Sequence, residues 1–373
     1  MKTIYGPSGK PYSTRQTNID KYISSLDPLY ADEKFKLLPD LNRNRNTREL
    51  IIMLSGILPS VPEILQFDYY QAVAAVRDIG MVLGSLKRHG IEPEYSVADL
   101  AMKLNLLGEK TDLPPRDTLI HYTVWNPDGE RLRTYTGTDD EKHLIESVKI
   151  AMAPLVQAIK DIRDLYFIAP DSEEFSILCE KVKENLEKMV KAIVHAKKNV
   201  STYYFATELR LYFDPITLDG QEYLGPGAVE MPLFVFDHIL WGADCDEEEY
   251  VKFRNTYLPY VLPEMRVIFK EFSGSKSLLT KISSVLDKAN SFDQNVLQSL
   301  KRLKELCLLL KSFRMPHKKM ADESYSHEGE TIKQKGSGGY QTDILAYIIK
   351  VNFERIDNFE KSMQRYITYS HEN

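Results

Sequence analysis

Cysteine is scarce in this chain of 373 residues. There are three, Cys179, Cys245 and Cys307, far apart and forming no paired motif. That spacing argues against a disulfide framework and against a zinc finger, and it suits a reducing compartment. No run approaches the roughly 18 consecutive apolar residues that a membrane span needs. The opening segment, Met1-Lys2-Thr3-Ile4-Tyr5-Gly6-Pro7, has no apolar core of a secretory signal. The chain is therefore expected to be soluble and cytoplasmic. An excess of positive charge is also missing. The formal net charge is −6 and evenly spread, which leaves no footprint for nucleic acid. Short runs such as Lys197-Lys198 and Lys318-Lys319 read as solvated helix faces. No period of about 20–50 residues recurs, so a solenoid is not expected. What is plentiful is apolar and aromatic side chain, 43% and 10% of the residues. This is enough for a sizeable core with an enclosed pocket, in one large domain or two smaller ones.

The periodicity is helical almost throughout. Residues 1–45 are polar, with Gly6, Pro7, Gly9 and Pro11 early, and read as a surface arm with one short helix near Ile19 to Ser25. Leu50 to Leu58 reads as a short apolar helix ended by Pro59 and Pro62. Gln71 to Arg88 places Val73, Val76, Ile79, Val82, Leu83 and Leu86 on one helix face. Gly90 closes it, and Ser96 can cap the helix that follows. From Thr118 to Thr136 the period changes to two, around the turn residues Asn126-Pro127-Asp128-Gly129, and a β-hairpin is expected. Long helices follow over Asp139–Tyr166 and Glu174–Lys198. Asp214–Glu230, rich in Gly and Pro, reads as a loop. Met231–Trp241, Glu247–Phe272, Leu278–Phe313 and Asp343–Ile367 complete the helical pattern. The expected fold is all-α. A smaller N-terminal helical part, residues 1–137, ends in the hairpin, and a large helical bundle occupies residues 138–373.

Several residues in this pattern can carry chemistry. His317 follows Arg314-Met315-Pro316 at the end of the long apolar helix, where Pro316 is expected to break that helix and start the next. A histidine held on such a shoulder can be an axial haem ligand or an ordinary capping residue. His238, beside Asp237 and among Phe234, Phe236 and Trp241, is a competing candidate. Arg210 stands in an apolar, aromatic stretch with Tyr203, Tyr204, Phe205 and Tyr212. A guanidinium there needs a partner, either an acid such as Glu208 or the carboxylate of a bound ligand, which Arg grips with two parallel hydrogen bonds. On one continuous helix Phe205 and Arg210 would stand about 140° apart and line adjacent walls. His143 and Ser147, four apart near a helix start, share a face. A histidine and a hydroxyl so placed can polarise bound oxygen or handle an indole N–H, but on spacing alone they read as ordinary interface residues. Gly336-Ser337-Gly338-Gly339 follows no strand, so it is not a dinucleotide fingerprint. With the polar stretch Lys318–Lys335, which includes Tyr325 and His327, it reads as a lid, or else as a surface loop without a role.

Taken in chain order, these motifs resemble the indoleamine and tryptophan dioxygenase superfamily, most closely its bacterial branch containing monodechloroaminopyrrolnitrin synthase. Met315-Pro316-His317, Gly336-Ser337-Gly338-Gly339 and a long final helix match its C-terminal third. Phe205 to Tyr212 resembles its distal phenylalanine and substrate-arginine segment. Gly225-Pro226-Gly227-Ala228 and Phe234-Val235-Phe236-Asp237 resemble the glycine-rich loop and helix beside the haem. Gly137 to Ser147 resembles the segment lining the distal face. The resemblance runs over roughly residues 110–367. The chain departs from the family in shortening Met-Pro-Pro-x-His, in replacing Gly-Thr-Gly-Gly, and in placing His143 where an aromatic is usual. These departures favour the pyrrolnitrin-type branch, or another relative, over a standard tryptophan dioxygenase.

The resemblance implies haem b (iron protoporphyrin IX), with iron on His317 and Asp237, Gly227 and Phe236 around the cofactor. Phe205, Arg210, Tyr325, Ser337 and Gly338 would bind tryptophan or a related indole, and His143 and Ser147 would take part in the reaction. Dioxygen or peroxide would be the oxidant. Family members can be oligomeric, and a homo-oligomer is compatible with this chain. A non-catalytic haem or indole sensor or carrier, or a haem-free helical interaction protein, would share most of these features.

Overall fold

A computed structural model describes residues 12–226, 231–289, 291–327 and 343–372. The first helices are α1 (Tyr12–Ser25), α2 (Asp32–Phe35), α3 (Leu38–Arg43), α4 (Thr47–Ile57) and α5 (Val61–Gln66). Residues 12–45 thus form three helices rather than an arm with one. α1 and α4 pack on α6 (Tyr69–Arg88), which opens on a capping box between Asp68 and Gln71 and is buried on every side from Ala72 to Leu86. The two charges within that buried stretch, Arg77 and Asp78, are fully buried and satisfied. Asp78 pairs with Arg77 at 2.7 Å and with Arg133 at 3.0 Å, and Arg133 reaches Asp32 at 2.6 Å. Buried charges persist only when paired in this way. α7 (Leu100–Thr111) follows, with Asp99 at its N-cap rather than Ser96.

The stretch expected to be a hairpin, Thr118–Thr136, is not one. It forms α8 (Leu119–Tyr122), capped by Thr118 and His121, and a 3-10 turn at Gly129–Arg131. Ile120, His121, Tyr122, Thr123 and Trp125 are all buried. Where both faces of a segment are enclosed, alternation of residue types carries no strand signal. Asn126 bridges the segment instead, donating to the carbonyls of Tyr122 and Arg133 at 2.9 and 2.8 Å.

α9 (Asp139–Leu165), with Thr138 as N-cap and an acidic first turn, packs along α10 (Glu173–Asn199). α11 (Thr202–Thr207) stops at Glu208, and a separate 3-10 turn, Leu209–Phe213, carries Arg210. Phe205 and Arg210 are therefore not on one helix. The sole strand pair among the described residues lies in the segment read as a loop, β1 (Ile216–Leu218) with β2 (Gln221–Tyr223), antiparallel. Asp219 and Gly220 turn it at φ +49° and +77°, the positive pair that a two-residue Asp-Gly hairpin turn requires.

α12 (Leu233–Asp237) runs into a π-helical turn, His238–Gly242. α13 (Glu248–Tyr257), α14 (Pro263–Phe272) and α15 (Leu278–Leu286) replace what the periodicity suggested were longer helices. α16 (Gln294–Ser326) passes through Pro316 without ending, and α17 (Asp343–Glu372) closes the chain. Proline inside a helix costs about 3 kcal/mol. Here Phe313 and Arg314 before it and Ser324 after it are buried against neighbouring elements, which holds the helix together across the proline. One apolar cluster joins α9, α10, α12–α17 and a few N-terminal residues. The other joins α2–α7 with Ile145, Tyr212, Phe213, Ile216 and Leu218.

Candidate functional site

A cavity of about 340 Å³ opens where α8, α9, α10, α11, the Arg210 turn, α12, α13, α16 and α17 meet. Its walls are mostly apolar. α9 contributes Leu144, Ser147, Val148 and Ala151, an i, i+3, i+4, i+7 stripe, and α10 contributes Ala192, Ile193 and Ala196. Among the polar groups that converge on the cavity are Tyr122 from α8, Arg210 from its turn, Asp237 from α12, and Arg314, His317, Ser324 and Tyr325 from one side of α16.

His317 is half-buried and lines the cavity, its ring 5.9 Å from that of Phe313. Burial, and then the nearby Arg314 guanidinium, push its pKa below the ordinary histidine value. The imidazole is thus neutral with a lone pair to give. Arg314, three residues earlier, is buried and paired with Asp237. Asp237 also accepts a 2.9 Å hydrogen bond from Trp241 Nε1, and burial raises its pKa despite the guanidinium. The second terminal nitrogen of Arg314, Nη1, is buried with no hydrogen-bond partner. A buried N–H left without a partner is costly and marks a place for a hydrogen-bond acceptor.

Arg210 is buried, with its guanidinium 4.7 Å above the ring of Tyr325. Ser147 lines the cavity while its hydroxyl donates to the Leu144 carbonyl at 2.7 Å. Phe205 also lines it. Tyr122 donates from the wall to the buried Glu141 at 2.9 Å.

Not every expected site residue reaches the cavity. His143 is one helical step off the Leu144 stripe and lies outside the wall, beside Glu146 and His195. Phe236 is fully buried but turns into the core, since the wall takes Leu233, Phe234 and Asp237 from α12. His238 is stacked on Phe269 at 3.8 Å, and it too is off the wall. Gly227, Ser337 and Gly338 lie outside the described residues, as does most of the expected lid. Its first part, up to Ser326, is helix and not loop. Arg314, read only as a neighbour of His317 in sequence, was missed as a site residue. Its position one turn before the histidine was the available signal.

The chain, all-α in fold, is a member of the tryptophan and indoleamine dioxygenase-like haem oxygenases. Within that class, the family of monodechloroaminopyrrolnitrin synthase PrnB matches residues 61–366, and the chain belongs to that family. The match starts well before the region near residue 110 where the motif resemblance begins. Members are haem-dependent enzymes, so the protein is an enzyme and not a bare carrier or interaction module. No helix among the described residues is long and apolar enough to cross a membrane.

The donor set suits a haem. It offers one neutral histidine on the wall, an apolar surround, and an orphaned guanidinium N–H on the same helix face, able to meet a carboxylate.

Proposed function

We propose that the enzyme binds haem b through His317 and oxidises tryptophan or a related indole amino acid, with dioxygen or peroxide as oxidant. The observation that carries this reading is the convergence of His317, Arg314 and Arg210 on one apolar cavity. Bound haem supplies the oxidation chemistry, and the protein supplies orientation and a dry site. His317 offers its lone pair to iron. Arg314 Nη1 would be free to hold a carboxylate of the cofactor, and Asp237, through its ion pair, keeps that guanidinium in place. Arg210 receives the carboxylate of the substrate, with Tyr325 stacked on its cationic face. Phe205 and the α9–α10 stripe enclose the indole. Ser147, already bonded to its own backbone, contributes shape more than a free hydroxyl.

His143 has no place in this reading. Ser337 and Gly338 are proposed to border the amino acid end of the substrate, and Gly227 the cofactor. Residues 138–373 carry most of the site, but Leu119, Tyr122 and Thr123 also line it, so the N-terminal part supplies one wall. The product is a ring-opened or rearranged indole.

The purified protein decides between outcomes. A Soret band that shifts on titration with tryptophan or another indole amino acid supports the reading. A haem-loaded protein whose spectrum ignores every indole amino acid overturns the substrate assignment.

A further inference from the structure

On the outer side of the cavity wall, α9 and α10 bring together three side chains that the proposed chemistry does not use. His143 Nδ1 lies 3.3 Å from Glu146 Oε2, and His195 Nε2 lies 3.2 Å from the same oxygen. The two imidazole rings are 5.2 Å apart between centroids. One ligand atom from each residue falls within 4.8 Å of the others. His143 and Glu146 stand at i and i+3 on α9, so they share a face, and His195 meets them from α10.

We propose that His143, Glu146 and His195 form a binding site for a divalent cation of the zinc class, fastening α9 to α10. Bonds of about 2.0–2.1 Å to nitrogen and oxygen in a tetrahedron set neighbouring donors about 3.3 Å apart. The two contacts to Glu146 have that spacing, the one from His143 with hydrogen-bond geometry. The contact from His195 is a close approach without hydrogen-bond geometry, and its Nε2 is buried and otherwise unpartnered. Its lone pair is therefore directed beside the oxygen rather than at it, as in two ligands that share a third atom. Two imidazoles and one carboxylate are a donor set for zinc, with water in the fourth position. The site is distinct from the haem cavity, but it touches its frame. Ser147 follows His143 by one turn, and Ala192 and Ala196 flank His195, all three on the cavity wall. A bound cation would hold those two walls at a fixed separation.

The test is zinc binding by the haem-containing protein, measured by competition with a chromophoric chelator, alongside the Glu146→Gln and His195→Gln variants. One zinc per chain is expected at micromolar or tighter affinity, weakened at least tenfold in each variant. Zinc should raise the melting temperature of the parent protein by more than it raises those of the variants. X-ray absorption at the zinc edge, where haem iron does not interfere, should show two imidazoles and only nitrogen or oxygen ligands. Equal affinity in parent and variants, sulfur ligation, or no binding below millimolar zinc would each overturn the proposal. Far-ultraviolet circular dichroism of both variants checks that they fold, and either one alone suffices for the comparison.

Discussion

Asp237 on α12 and Arg314 on α16 form a buried ion pair in the wall of the cavity, one turn before His317. The pair links the helix that carries the proposed iron ligand to the aromatic core around Trp241. Breaking a buried pair by removing one charge leaves the other without compensation, which typically costs 3–5 kcal/mol. Asp237→Asn keeps the shape but removes the anion. We expect it to destabilise the protein by about 3 kcal/mol in urea unfolding, the lower end of that range because burial already raises the pKa of Asp237. Haem retention should fall with it. Unchanged stability would mean that the pair gives nothing to the folded state.

His317 is expected to be the group on which haem depends. His317→Ala should purify with far less haem, and added imidazole should restore part of the Soret absorbance by occupying the vacated position. His238→Ala, by contrast, should retain haem, because that ring is stacked on Phe269 away from the wall. If His317→Ala keeps the parent haem content and ferrous spectrum, the ligand lies elsewhere.

Much of this was legible beforehand where helical period and burial coincide. α9, α10 and α17 follow their apolar stripes, α6 forms where its stripe lies but is buried on every side, and the helical class holds. Legibility failed where local signals met tertiary packing. Pro316 reads as a helix end, yet α16 continues because its flanking residues are buried. The alternation at 118–125 reads as a strand, yet both faces of that segment are enclosed. The Asp219-Gly220 turn was present in the sequence, but three-residue strands are too short to show a period. At the site, His317, Arg210, Phe205, Asp237, Ser147 and Tyr325 could be named in advance and all line the cavity. The spacing of His143 and Ser147 placed them on one broad face. Only the position of α10 reveals that one looks inward and the other meets His195.

Arg210 is expected to anchor the substrate carboxylate. Arg210→Lys retains the charge but loses the planar fork that can hold both carboxylate oxygens. It should weaken tryptophan binding by about 1.5–3 kcal/mol, the scale of a hydrogen bond to a charged group, with haem content unchanged. Spectral titration of the parent with tryptophan and with tryptamine, which lacks the carboxylate, provides the comparison. Equal affinities for the two would remove Arg210 as an anchor.

His238 should make the fold acid-sensitive. Burial, and then the charge of Arg254, hold its pKa at about 4 against an ordinary 6.5. The unfolded chain therefore takes up a proton on this ring below about pH 6.5, while the folded chain refuses it until about pH 4. Stability from this residue is intact above pH 6.5 and is lost as the pH falls through that window. Each pH unit across it is worth about 1.4 kcal/mol, so the whole window amounts to roughly 3 kcal/mol. His238→Phe keeps a flat ring against Phe269 and removes the titration. Other buried groups also titrate on acidification. His121, held at about 3, destabilises in the same direction, and Asp117, raised to about 6, opposes it. Those contributions are common to both proteins and cancel in the difference. Unfolding free energies measured at pH 7 and pH 4 should show the parent losing about 3 kcal/mol more than His238→Phe. Parallel pH profiles would show that the His238 ring becomes protonated in the folded protein as readily as in the unfolded chain.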